Sequence, residues 1–342
     1  MKSPAAIDQV MDFASSHGFS DLFLQVRGRG DAYYQSDIVP KAPEIKSSSF
    51  DPLAYAIEQG KKHDLKIHAW INVYLLWSAP DPPTLSSHLL HKQPDWTDSD
   101  FLGVRDLDRD WKVYKNGMAG GIYLSPTHPD VNTYLLKVVR ELVDKYPVDG
   151  IHYDYIRYQG ITSGFNEIGR RNFYARYGVD PLEMNEIPKN SLNLDVVYNE
   201  VWRNYRKSKI TDFVRSVHEM IQSKEIEISA AVKPDIRRAT DYFLQDWPEW
   251  IEQGYLDFAV PMNYTPEMST YQDNSRTIMD NVSKESVVMG VGAYNQTKYS
   301  VSQKVQYAIE NRFKGVCIFS YDSLIEDPSY MSVLKPYFSF VD

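Results

Sequence analysis

Short apolar runs of strand type alternate along the chain with longer stretches whose apolar residues recur at helical spacing. The runs fall at 21–27 (DLFLQVR), 66–74 (KIHAWINVY), 148–155 (VDGIHYDY), 226–232 (IEISAAV), 256–263 (LDFAVPMN), 286–293 (SVVMGVGA) and 315–321 (GVCIFSY). Each is short for a helix and rich in β-branched or aromatic residues, which predicts strands. Helices are predicted over 5–16, 51–63, 130–146 and 196–222. In the third, Leu135, Val138, Val139 and Leu142 form one apolar stripe. Pro129 fits a first helical turn, and Asp130 beside it complements the helix dipole.

Strands separated by helices pair in parallel through right-handed crossovers, as a doubly wound sheet or as a barrel. No strand leads into a glycine-rich phosphate turn; Gly28-Arg29-Gly30 has Arg at its centre and Asp31 after it. The barrel is therefore expected. Long insertions at 75–129 and 156–195 follow strand ends, where barrel enzymes build their sites. With no repeat or linker, residues 1–342 are expected to form one domain. The expected fold class is α/β, a (β/α)8 TIM barrel lacking its first strand. Seven strands are visible and the chain opens on a helix, so the missing strand is expected ahead of residue 1. VDGIHYDY would then be the fourth strand, and an open edge would lie beside DLFLQVR.

Composition narrows the function. A formal net charge of -9 and a pI near 5.4 would repel a phosphate backbone, which disfavours nucleic acid as a partner. No run reaches the roughly 20 apolar residues of a transmembrane segment, and residues 1–18 lack a signal peptide's apolar stretch. Cys317 is the sole cysteine, so no internal disulfide or cysteine-built zinc site can form. Oligomeric state and compartment stay open. Aromatics reach 13%, with 25 Tyr and 7 Trp. Such rings fill cores, and their flat faces also suit sugars.

Alternation places His152 and Asp154 on one face of VDGIHYDY, with Asp154 where the strand meets its loop. The alternative role for Asp154 is a loop carboxylate paired with Arg157; His152 could be a core histidine. Other strand ends converge on the same rim: Arg27 and Asp31 after the first, His68, Trp70 and Asn72 on one face of the second, Asn263 and Tyr264 in VPMNY, Tyr321 and Asp322 in FSYDS. These groups suit hydroxyl recognition and have no metal-ligand spacing, so a carbohydrate site is expected, without metal or cofactor. Glycoside hydrolysis needs two carboxyl groups. Asp154 supplies one. Asp235 in AAVKPD, with Lys233, Arg237 and Arg238 nearby, and Glu267 in NYTPE are the candidates for the other.

The chain resembles the glycosyl-hydrolase-like family 10 barrels of bacterial envelopes and secretomes. The resemblance covers almost the whole chain and rests on QVRGRGDAYY (25–34), HAWINVYL (68–75), YLSPTHPDV (123–131), VDGIHYDYIRY (148–158), VPMNY (260–264) and GVCIFSYDSL (315–324). It implies hydrolysis of a glycosidic bond, with some relatives linked to peptidoglycan glycan strands, and it implies an active-site role for Asp154. It also implies an envelope or secreted location if a signal peptide precedes residue 1. The chain departs from the pattern at Gln159, where many relatives have Pro, and at Tyr155, where many have a second acid. The second departure removes an obvious partner for Asp154. Two readings follow: a glycoside hydrolase, and a carbohydrate-binding barrel without activity. A metal-dependent deacetylase is a third, which the scattered histidines do not favour.

Overall fold

The computed structural model describes residues 1–110, 120–183 and 194–338. The chain passes from α1 (Pro4–Ser16) to β1 (Asp21–Arg27), and through α2 (Pro52–Lys62) to β2 (Lys66–Asn72). A hairpin of β3 (Leu75–Trp77) and β4 (Ile122–Tyr123), with α3 (Leu89–Lys92), builds the long loop before α4 (Pro129–Lys145) and β5 (Gly150–Asp154). Next, α5 (Glu167–Tyr177) and α6 (Leu194–Ile221) lead to β6 (Glu227–Val232), and α7 (Ile236–Asp241) and α8 (Trp247–Glu252) lead to β7 (Phe258–Pro261). Then α9 (Met268–Asn281) precedes β8 (Val288–Gly292), and α10 (Lys298–Glu310) precedes β9 (Gly315–Phe319). The short helices α11 (Tyr321–Glu326) and α12 (Ser329–Leu334) follow. Of the insertions expected at 75–129 and 156–195, residues 111–119 and 184–193 lie outside the described residues.

The seven apolar runs become seven parallel strands. Five pair in the order β1-β2-β5-β6-β7. Parallel bridges Ala259–Val287 and Met262–Gly290 join β7 to β8, which pairs with β9. The sheet curls, because rings on non-adjacent strands meet inside it. Phe23 of β1 lies 4.5 Å from His152 of β5 and 6.4 Å from Phe258 of β7, centroid to centroid. Trp70 of β2 lies 6.2 Å from Phe319 of β9. The fold is thus an α/β barrel of TIM type. Among the described residues β1 and β9 do not pair with each other, and a cleft of about 800 Å³ opens between them. Both strands are largely half-buried where β5 is buried throughout, so the open edge expected beside DLFLQVR is present.

Local chemistry sets the helix starts. Ser3 accepts from Ala6 N (3.3 Å), Asp51 from Ala54 N (3.1 Å), and His128, just before Pro129, from Asp130 N (3.2 Å). The outer face of β5, Ile151 and Tyr153, is buried under the helices, with Tyr153 5.9 Å from Phe213 of α6. Burying such a side chain contributes roughly 1.5–3 kcal/mol. Its inner face begins at Gly150, where a Cβ would stand 2.0 Å from His68 Nδ1, so no other residue fits beneath that ring. Among the described residues no helix is long and apolar enough to cross a membrane.

A charged network closes the floor, at the strands' N-terminal ends. His68 Nε2 lies 2.9 Å from Asp21 Oδ1 and 4.0 Å from Glu227 Oε2, while Lys66 and Lys314 approach Glu227 to 3.7 and 4.0 Å. Above it, His152 is buried with Nδ1 2.9 Å from Ser229 Oγ. Burial, and the His68 ring beside it, push its pKa down to about 3 from the usual 6.5.

A histidine held neutral by burial lowers stability as acid protonates its unfolded form. Between pH 6.5 and about 3, the unfolded chain binds a proton that the folded one refuses. The wild type should therefore lose about 1.4 kcal/mol per pH unit relative to His152→Asn, measured by urea unfolding at pH 7 and pH 5; parallel curves would refute it. In amide exchange, β1 and β9 should open before β5, since each has one unpaired edge; equal protection across the three strands would contradict the open side.

Candidate active site

At the strands' C-terminal ends the inner face of β5 finishes in Asp154. Register sets it opposite Asn72, with His152 opposite Trp70 and Gly150 opposite His68. The next residue, Tyr155, has φ +51°, a left-handed conformation that side chains disfavour. Such backbones cost on the order of 1–3 kcal/mol and cluster at functional sites. Here the turn brings Tyr155 N within 2.6 Å of Asp154 Oδ1. The Tyr155 ring is held between Tyr123, 6.0 Å away and edge-on, and the Arg157 guanidinium, 4.5 Å from its centroid.

Asp154 is buried, and loss of hydration raises its pKa above the usual carboxylate range. The Arg157 charge, the Tyr155 N–H and Lys233 pull the other way without cancelling that effect. Lys233 is pushed down to about 8 by burial and by the repulsion of Arg157 and Arg238. Around Asp154 stand the rings of Trp70, Tyr155, Tyr264 and Phe319. Tyr264 and Phe319 lie stacked, 5.4 Å apart and 9° from parallel, with Tyr294 perpendicular to both. A carboxyl that keeps its proton in a dry cleft can protonate a leaving oxygen, and once ionised it can stabilise positive charge at a sugar carbon.

Of the residues expected to form the site, Trp70, His152, Asp154, Arg157, Tyr264, Tyr321 and Asp322 line this cleft. Asn72 stands just behind: its Oδ1 accepts from Trp70 Nε1 (3.1 Å) and Gln25 Nε2 (3.3 Å). The structure sets the others elsewhere. A register shift between Gln25 and Arg27 accompanies the burial of Arg27 beside Tyr34 and Tyr134, where Nη1 donates to Asn72 O. Asp31 folds back to accept from Arg29 N (2.9 Å), and His68 lies in the floor network. Asn263 fastens the end of β7 to α9, donating to Tyr271 O (3.0 Å) and accepting from Asn274 (2.9 Å).

Asp235 is the exposed N-cap of α7, accepting from Arg238 N (2.9 Å). Glu267 is exposed at the start of α9, where its charge acts on Lys304. Neither lines the cleft. The acidic residues that do are Asp154, Asp322 on α11 at the rim, and Asp21 and Glu227 on the floor.

Phe319 and Lys233 were not among the expected site residues, although alternation carried a signal for both. Cys317, Phe319 and Tyr321 share a phase, as do Ser229, Ala231 and Lys233, and Ser229 meets His152 inside the barrel. Nothing in the sequence marks the left-handed turn at Tyr155.

The chain is 25% identical over 289 residues to glycosyl hydrolase DigH of Escherichia coli K12, an alignment spanning 78% of this chain and 59% of DigH. It is 23% identical over 281 residues to glycosyl hydrolase YngK of Bacillus subtilis, spanning 75% of this chain and 48% of YngK. The chain thus spans about half the length of these relatives. The solved glycoside hydrolase domain of PgaB (BpsB) from Bordetella bronchiseptica superposes with a TM-score of 0.71 at 13% identity, covering 99% of this chain and 94% of that one. The family model described as glycosyl hydrolase-like 10 matches residues 2–312. The chain therefore belongs to the glycosyl hydrolase-like 10 family.

Proposed function

We propose that the protein hydrolyses a glycosidic bond in a polysaccharide or oligosaccharide containing amino sugars, with peptidoglycan glycan strands as the leading substrate. The observation that carries the reading is Asp154: a buried carboxyl of raised pKa at the mouth of a barrel, among sugar-sized aromatic faces. In this reading Asp154 protonates the leaving oxygen as the bond to the sugar carbon breaks, and water completes the hydrolysis. Trp70, Tyr264 and Phe319 stack on the ring, His152 stays neutral beneath it, Asn72 holds Trp70 in place, and the Arg157 charge tempers the rise in the Asp154 pKa. Asp235 or Glu267 is the proposed second carboxyl, each at a helix start beyond the C-terminal end of its strand. The name glycosyl hydrolase borne by DigH and YngK supports the reaction class.

The rival reading is a barrel that binds glycans without cleaving them. It draws on the position of Asp235 and Glu267 outside the cleft lining, because paired carboxyl chemistry needs a separation of roughly 5–10 Å.

Incubation with peptide-free peptidoglycan, chitin, and α- and β-glucans tests both: new reducing ends from one of them establish the hydrolase. Asp154→Asn should then lower kcat by on the order of 10³-fold or more, with glycan affinity nearly unchanged, since the lost group acts in the transition state. Activity within about threefold of wild type would remove Asp154 from the chemistry. Stability gives a second readout. A carboxyl whose folded pKa is raised costs stability as pH rises from the usual carboxylate range up to that pKa, so Asp154→Asn should melt higher than wild type at pH 7. The difference should vanish below the usual carboxylate range; a lower Tm at pH 7 would instead mark Asp154 as a structural partner of Arg157. Finally, Asp235→Asn and Glu267→Gln separate the two proposed partners, as the true one should lose at least about 10²-fold in kcat.

A further inference from the structure

Three cations gather round one buried ring beside Asp154. The charged groups of Arg157, Lys233 and Arg238 lie 5.8, 4.8 and 5.5 Å from the Phe243 centroid. They come from the loop after β5, the end of β6 and the first turns of α7, so the fold assembles them. Among the described residues none forms an ion pair with a carboxylate, although the chain has 46 acidic residues against 37 basic ones. Among the described residues Arg157 Nε and Nη1 are buried without a hydrogen-bond partner, while the guanidinium donates a hydrogen bond to the Tyr155 hydroxyl. Asp235, which could have neutralised Arg238, is engaged as a helix cap.

Like charges this close repel, and the face of an aromatic ring offsets that only in part. Nitrogens of a buried guanidinium without acceptors carry a further cost. Asp154 alone does not balance the group, since one carboxyl stands beside three cations. What would satisfy all three is an anion brought by the ligand, and a planar carboxylate suits guanidinium donors best. Of the three, Arg157 lines the cleft next to Asp154, while Lys233 and the exposed Arg238 lie outside its lining, so the anion would belong to the sugar bound there and reach the other two past Arg157.

We propose that Arg157, Lys233 and Arg238 form a subsite for a carboxylate carried by the glycan, making acidic sugars the preferred substrate class. This rests on the cleft being a glycan site. The alternative is that the cations serve Asp154 alone, by favouring its ionised form, which would give no preference between acidic and neutral chains.

The test uses Asp154→Asn, so that binding is measured without turnover. The probes are chains of peptide-free peptidoglycan, whose ether-linked carboxylates are free, and the same chains after carbodiimide activation and borohydride reduction to neutral alcohols. The carboxylate form should bind at least about tenfold tighter at low salt, with the preference shrinking as salt rises. Adding Lys233→Met and Arg238→Gln should bring its affinity down to that of the reduced form. Equal binding of the two chains overturns the subsite, and cleavage of either by the wild type would still uphold the hydrolase. If neither chain is bound or cleaved, and none of the other glycans is either, the glycan reading fails and the subsite with it.

Discussion

Removing the Asp154 carboxyl from water is the constraint around which the upper half of the molecule is arranged. A carboxylate placed in a dry cavity without compensation would be prohibitively costly, so the group either takes a proton or acquires partners. Here it acquires partners. A backbone N–H is turned toward it by the left-handed residue that follows, two cations stand near, and the remaining cost shows as a raised pKa. The strained Tyr155 backbone, the Arg157 guanidinium with its two unbonded nitrogens and the depressed Lys233 all attend this one buried group. Each is locally unfavourable, and a fold that served stability alone would have no use for them.

Much of this was legible in the sequence because a parallel barrel has simple periodicities. All seven strands appear where apolar runs predicted them, and Pro129 opens its helix as expected. Alternation put His152 and Asp154 inside and Ile151 and Tyr153 outside, which the ring contacts and helix packing reproduce. Where the phase is broken, the reading lost its footing. The register shift after Gln25 precedes Arg27, whose side chain lies under the helix layer. Asn263 stands just past β7, where the chain leaves the strand and the two-residue period no longer applies.

The other obstacle is height along the strand, which alternation does not encode. His68, Trp70 and Asn72 share one face of β2, and by side-chain phase they are equivalent. At about 3.3 Å per residue, His68 and Asn72 nevertheless sit about 13 Å apart along the strand, one in the floor network and the other at the mouth. Only pairing with neighbouring strands reveals this. Loop acids pose the same problem in stronger form. Asp235 and Glu267 follow strand ends in sequence, but helix starts compete for such residues, and Asp235 is engaged by an N–H of α7.

The cations and the carboxyl at the mouth are coupled, and the coupling has a direction. Arg157 and Lys233 draw the Asp154 pKa downward, against burial. If a ligand carboxylate engages those cations, their pull on Asp154 weakens and the ligand's own negative charge opposes ionisation, so the proton on Asp154 is held more firmly. Closing the cleft over the sugar would add further desolvation of the same sign. Binding an acidic sugar would thus move Asp154 toward the protonated form that a leaving oxygen requires, while a neutral sugar would leave the cations free to favour the ionised form. Substrate recognition and acid strength would then share Arg157 and Lys233, which gives the otherwise unfavourable cluster round Phe243 a chemical purpose.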